Sequence, residues 1–348
     1  MRGLRKYLTP FAPDQSGAVS VLYELGGIII ICDAGGCTGN VCGFDEPRWF
    51  HNKSAVFSAG LRDMDAILGR DDRLVAKLSD AADKVEATFA AIIGTPVPAV
   101  IGTDYLALKR MSEKKTDLPI LTVDANGMDL YDEGEEKAWM ALFQTFATEQ
   151  YPVDENRIGI LGMTPQDISD LTAADKIRKK FQDAYGQKAV CYGMGDGLTE
   201  VKKASSVCRN IVVSPAALKA ARYLEKNFGT PFETGYPLVE ELLPDIDYTG
   251  KKILVVHQQV MADSIRKELR KKGADSVVNA SWFMMKKELK EEQDIFLRDE
   301  EDYIDLVKNN DFDLIVADAA MQPMTSDPEG RFINLRHFAV SGRLTEEV

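Results

Sequence analysis

Residues 17–37, GAVSVLYELGGIIIICDAGGC, decide the fold. The first half reads as a short helix. Ile28 to Ile31 then read as a buried strand, because an uninterrupted β-branched run suits a strand covered on both faces. The stretch from Asp33 to Pro47 holds four glycines and a proline and reads as a loop, long for a connection of this kind. A buried strand feeding a glycine-rich loop is the opening of an α/β unit.

The same rhythm continues along the chain. Residues 54–69 and 72–90 read as helices, PAVIGTD (98–104) as a short strand and turn, and 104–115 as a helix. LPILTVDANG gives another strand, and 133–149 a helix around Trp139, Leu142 and Phe146. RIGILGMTP opens a second unit near residue 156, with a helix at 168–184 and the strand KAVCYG. GMGDG then turns into a helix, and NIVVSPAALKAARYLEKNFG reads as strand, helix and glycine stop. A third unit starts at KKILVVHQQV, and Gly273 ends its helix. DSVVNASWF reads as a strand, DIFLRDEEDYIDLVKNND as a short strand and a helix, and FDLIVADAA as the last clear strand. The tail from Met321, with Pro323, Pro328 and Gly330, reads mostly as loop. The expectation is an α/β protein with several parallel, doubly covered sheets, divided at 1–152, 153–238 and 239–348.

Composition narrows the function. The 348 residues carry 42 Lys and Arg against 55 Asp and Glu, a net charge of −13, which opposes binding to nucleic acid phosphates. The longest apolar run, GGIIIIC, is far short of the roughly 20 residues that span a membrane. No signal-peptide core follows the basic start. A cytoplasmic, reduced protein without nucleic acid or membrane partners is expected. Five cysteines, an odd number, do not suggest a disulfide framework there.

Three of those cysteines, Cys32, Cys37 and Cys42, fall within eleven residues. Thiolates are soft ligands for iron and zinc. Gly36 and Gly39, with Gly35, allow the backbone to approach a bound group. A cubane cluster takes four ligands, and this loop offers Cys37 and Cys42, with Cys32 a third metal candidate that reads as packed at a strand end. Two thiolates per chain suggest a symmetric solution, in which a homodimer axis joins two copies of Cys37 and Cys42 around one [4Fe-4S] cluster. The competing reading is that of small, buried, inert thiols. The spacing alone matches neither zinc-finger nor ferredoxin patterns.

Other candidates are weaker. Arg48 and His51 can bind an anion or move protons near a cluster, or else sit in water around a loop anchored by Trp49. Asp33 is a further group beside the cysteines. GMGDG can seat a phosphate before a helix, or be a tight turn; it does not match GxGxxG. His257 ends a strand beside Gln258, Gln259 and Asp263 and reads equally as pocket lining or as a structural histidine. Asp299, Glu300 and Glu301 read as a charge cluster at a helix start, and Trp282 to Met285 as core.

The stretches SGAVSVLYELGGIIIICDAGGC, GTPVPAVIGTD, NRIGILGMTP, GDGLTEVKKASSVCRNIVVSPAALKAARYLEKNFGTPFETGYP and FDLIVADAA, in this order, resemble the nitrogenase component 1 superfamily. That superfamily includes the nitrogenase molybdenum-iron subunits, cofactor-assembly relatives and protochlorophyllide reductase. The resemblance implies three Rossmann-like α/β domains around a central cleft. It implies paired subunits, an interface iron–sulfur cluster, an iron–sulfur ATPase as electron donor, and a second metal cofactor or ligand in the cleft. Cys37 matches the family cysteine of the Gly-Cys loop. The earlier and later family cysteines fall at about Pro13 and Pro96 and are absent as thiols. Cys42 is additional and restores four thiolates across a homodimer. The cysteine that holds the cleft cofactor aligns near Ser214, and the cofactor histidine falls where this chain is short. The resemblance implies a simplified redox protein, the catalytic component of an ATP-dependent reductase. The alternatives are a non-catalytic scaffold or carrier for metallocluster assembly, and a cluster-free protein that binds a small ligand.

Overall fold

The computed structural model describes residues 5–51, 54–62, 64–65, 69–325 and 330–345. Parts of the expected 54–69 helix (residues 63 and 66–68) and Pro328 of the tail lie outside these. Among the described residues the strands form three sheets, each parallel throughout. The first has the order β2-β1-β3-β4, from Ala55–Ser58, Ile28–Ile31, Ala90–Ile93 and Ile120–Val123. The second is β6-β5-β7-β8, from Lys188–Cys191, Asp154–Leu161, Val207–Val212 and Phe232–Thr234. The third is β11-β10-β9-β12-β13, from Ile295–Phe296, Ser276–Ser281, Lys252–Val256, Leu314–Ala317 and Phe332–Asn334.

The four isoleucines of β1 are fully buried between β2 and β3, as a doubly covered parallel strand requires. The Tyr131–Phe146 helix ties the first two sheets together. Trp139 stacks on Phe143, and Phe143 meets Tyr192 edge-on, so residues of both sheets share one apolar core. This helix crosses the Asp14–Leu22 helix backbone to backbone. A Cβ on Gly17 would stand 1.9 Å from the Tyr131 carbonyl oxygen, and one on Gly134 only 1.7 Å from that of Asp14. Only glycine allows so close an approach.

Five sequence expectations need correction. The 33–47 loop is helical in part: Gly36–Asn40 is a short α-helix and Val41–Asp45 a π-helical turn. Asp33 starts it by accepting the Thr38 N–H at 2.7 Å, and Gly35, at φ 118°, lets the chain enter. Residues 54–69 begin with the edge strand β2 rather than a helix, since Val56 and Phe57 suit a pleated edge. The 72–90 helix stops at Ala82 and β3 starts at Ala90. PAVIGTD lies in the helix Pro96–Ile101 and its C-terminal turn, because prolines at 96 and 98 are tolerated in a first helical turn. The tail adds β13, paired with β12, and the helix Phe338–Ser341. No described helix is long and apolar enough to cross a membrane.

Candidate functional site

The cysteine turn leaves β1 at its carboxyl end, where parallel sheets present their loops. Asp33 is buried and holds the turn from inside. Its carboxylate takes the Thr38 N–H, the Thr38 hydroxyl at 3.0 Å and the Ser58 hydroxyl at 2.6 Å. Asp33 is thus a structural brace for the turn. Cys37 and Cys42 are free, half-buried thiols on the two helical turns it supports. Cys32 differs from them. It is fully buried, and burial pushes its thiol up to about 12. Both turn thiols are raised too, first by burial. Asp33 adds to this at Cys37, and Glu46 and then Asp33 at Cys42.

The outer face of the turn is open. A Cβ at Gly36, Gly39 or Gly43 would meet nothing within 4 Å. Large apolar side chains at this end of the sheet are left in water: Phe44 is 75% exposed, Val100 83% and Met128 75%. They come from the segments that follow β1, β3 and β4, all at the same sheet end, with Phe44 on the π-helical turn and Val100 on the helix Pro96–Ile101. The two positions where the resemblance lacks cysteines are close by. Thr95, next to Pro96, donates its hydroxyl to the Cys32 carbonyl at 2.6 Å, Pro96 lies against Gly127, and Asp14, next to Pro13, accepts the Gly127 N–H at 2.7 Å.

Arg48 lies beneath the turn with all its donors taken. It pairs with Glu46 at 2.7 Å and with Glu24 at 3.4 Å, and donates to the carbonyls of Ser20 at 2.7 Å and Gly193 at 2.8 Å. Its guanidinium also stands 4.9 Å over the Tyr23 ring. This buried knot fastens the cysteine turn to the second sheet. His51 is exposed at the end of the short helix Pro47–Phe50. The GMGDG segment is a tight turn whose polar groups are used internally. Glu24 accepts the Gly195 N–H at 2.6 Å, and Asp196 takes the Cys191 N–H and Arg178.

A second polar group lies inside, where the Tyr131–Phe146 helix meets the carboxyl ends of the second and third sheets. His257 and His337 stack with ring centres 3.9 Å apart and planes 11° apart. The Tyr131 hydroxyl donates to Asp167 at 2.5 Å and lies 3.1 Å from His337 Nε2. Phe283 packs edge-on against the Tyr131 and His337 rings. Glu135 accepts from Thr164 at 2.6 Å, and Asp132 accepts the Met284 N–H at 2.5 Å. Burial drives these groups toward neutrality. Asp132 is raised to about 7, Glu135 stands well above the carboxylate range, His337 falls to about 3, and His257 is also strongly lowered. Sequence reasoning singled out His257 but missed His337, because the tail holding it read as loop. Tyr131, Asp132, Glu135 and Asp167 carried no motif. Ser214, where the resemblance places a cofactor cysteine, caps the turn Pro215–Ala217 by accepting the Ala216 N–H. The junction packs ring on ring and offers oxygen and imidazole rather than thiol, so these residues do not fit a thiolate-held metal cluster.

Residues 15–239 match the sequence profile of the family described as nitrogenase component 1 type oxidoreductase, more than half of the chain. The chain belongs to this family. This nitrogenase component 1 member is 25% identical over 188 residues to the nitrogenase iron-molybdenum cofactor biosynthesis protein NifE of Bradyrhizobium diazoefficiens. The match takes in 52% of this chain and 33% of that relative, about a third of its length. A solved structure described as nitrogenase Cp1 at pH 6.5 superposes with a TM-score of 0.73 at 13% identity, covering 96% of this chain and 87% of that one. A second, at pH 5, gives 0.65 at 16% identity, covering 91% and 81%. These structures share the multi-sheet α/β fold of the family. Among the described residues, no three His, Cys, Asp or Glu side chains of one chain are grouped to hold a metal ion.

Proposed function

We propose that this family member is a non-catalytic scaffold or carrier for metallocluster assembly, in which Cys37 and Cys42 of two copies grip one [4Fe-4S] cluster. The carrying observation is the cysteine turn itself. Two half-buried thiols stand on a braced helical segment with a bare glycine face, at the sheet end that also exposes Phe44, Val100 and Met128. One chain supplies too few soft ligands for a cubane, so a second copy completes the set. The apolar fringe gives that copy surface to bury. The likeness to a cofactor biosynthesis protein supports handling of the cluster as cargo. At the histidine junction the rings pack on one another, which supports a structural rather than a catalytic use of that polar group. In this reading residues 1–152, 153–238 and 239–348 are three structural units, each built on one of the three sheets.

Asp33 and Arg48 hold the turn in place, and the glycines let the cargo approach the backbone. Cys37 and Cys42 must each lose a proton to bind, so loading is favoured at alkaline pH. Bound there, the cluster would supply a one-electron centre in a form that can be passed on. The test is anaerobic reconstitution with iron and sulfide, followed by absorbance, electron paramagnetic resonance and light scattering. The expected result is one cluster per dimer that moves to an apo acceptor protein without steady-state reduction of any substrate. Sustained turnover with an iron–sulfur ATPase as donor would instead make the chain a reductase. Colourless protein after reconstitution would remove the cluster reading.

A further inference from the structure

The chain's entry segment is strapped across the third sheet. The N–H groups of Lys6, Tyr7 and Leu8 all point at the Glu300 carboxylate, at 2.7, 3.1 and 2.7 Å. Leu8 and Phe11 are buried in the core of that sheet, where Phe11 packs on Trp282 and Phe283. Between this strap and the carboxyl ends of β12 and β13 lies a cavity of about 310 Å³, near the lower end of ligand clefts at roughly 300–1,000 Å³. Tyr7, Thr9, Asp318, Arg336 and Arg343 line it.

The cavity gathers two arginines that, among the described residues, lack an acidic partner. Arg48, Arg157, Arg178, Arg222, Arg266 and Arg270 each hold a carboxylate. Among the described residues neither the Arg336 nor the Arg343 side chain has a carboxylate or any other hydrogen-bond partner. The acid nearest to hand is already used. Asp318 is fully buried and accepts the N–H groups of Ala320 and His337 and the Ser341 hydroxyl, each at 2.8–2.9 Å. Arg336 is half-buried two residues after β13, and its backbone is held there with its carbonyl 3.3 Å from His257 Nε2. Two guanidiniums at the carboxyl edge of a parallel sheet, with hydroxyls opposite, match the chemistry of a small oxyanion.

We propose that this cavity binds a small anion carrying two phosphate or carboxylate groups, held by Arg336 and Arg343, with the Tyr7 and Thr9 hydroxyls as further partners. The site uses neither Cys37 nor Cys42, so it stands or falls apart from the cluster proposal. The test is titration calorimetry of the full chain with inorganic pyrophosphate and, separately, malonate, at low salt. Binding of either supports the site, and the tighter probe tells phosphate from carboxylate. Arg336→Gln and Arg343→Gln are each expected to weaken binding about tenfold or more. Arg343 is exposed, so its variant reports on binding even if Arg336→Gln disturbs the fold. Absence of heat with both probes at millimolar concentration, or equal affinity in Arg343→Gln and the parent, overturns the proposal.

Discussion

The cysteine turn and the histidine junction concentrate reactive side chains in opposite ways. At the turn, Cys37 and Cys42 are half-buried, their backbone is bare on the outer side, and apolar residues beside them face water. At the junction, His257, His337, Tyr131 and Asp167 are buried and contact one another. On the proposed reading, the turn is chemistry left incomplete within one chain, which a second copy and its cargo complete. The junction is chemistry turned inward, where burial removes charge and the side chains serve packing between sheets. A cluster of functional residue types is therefore informative only together with its exposure.

Four experiments sharpen or break this contrast. The largest effect is expected at the turn: Cys37→Ala or Cys42→Ala should reduce iron and sulfide in the reconstituted protein to background, with little change in melting temperature. Retained iron in both variants would place the metal elsewhere. At the junction the reverse is expected, with stability carrying the cost. His337→Gln opens the ring stack and is expected to lose about 3 kcal/mol in urea unfolding at pH 7.5. The His337 pKa lies near 3, below its ordinary value, so the stability it lends is present above pH 6.5 and is lost as pH falls toward 3. The gap between parent and variant should narrow over that window.

Asp132 has the opposite sign. Its carboxyl is raised to about 7, so the stability gained from its protonated form is present at acid pH and lost as pH climbs through 7. Asp132→Asn is expected to be the more stable protein at pH 8, by about 2 kcal/mol, with the advantage gone by pH 5. Melting curves at the two pH values decide it. The smallest effect is expected at Gly39. Its Cβ position is empty and it lies within a helix, so Gly39→Ala should stabilise the single chain by up to about 1 kcal/mol. If the cargo needs the bare backbone, cluster loading should fall in the same variant. Unchanged loading would make the open face incidental.

Much of the fold was legible because it is local. The β-branched run at Ile28–Ile31, the glycine stops at Gly229 and Gly273, and the periodic helix around Trp139 are signals carried by neighbours in sequence. The misread segments are those where a distant partner or a single side chain decides. Ala55–Ser58 is a strand because β1 lies beside it, and Phe332–Asn334 because β12 does. The 33–47 segment turns helical around the Asp33 carboxylate, which composition cannot show. The same limit governs the sites. Cys37 and Cys42 stood out by spacing, and the structure keeps both accessible. Arg48 was visible as a charge near them, while its occupation by Glu46, Glu24, Ser20 and Gly193 depends on residues up to 145 positions away. His337 had no local mark at all.

The backbone-to-backbone crossing at Gly17 and Gly134 has a consequence for biosynthesis. The first helix leaves the ribosome long before its partner, and its apolar face stays uncovered until residue 146 has emerged. At about 5–20 residues per second, that delay is on the order of ten seconds. During it, the isoleucine strand next to the helix also waits for part of its cover.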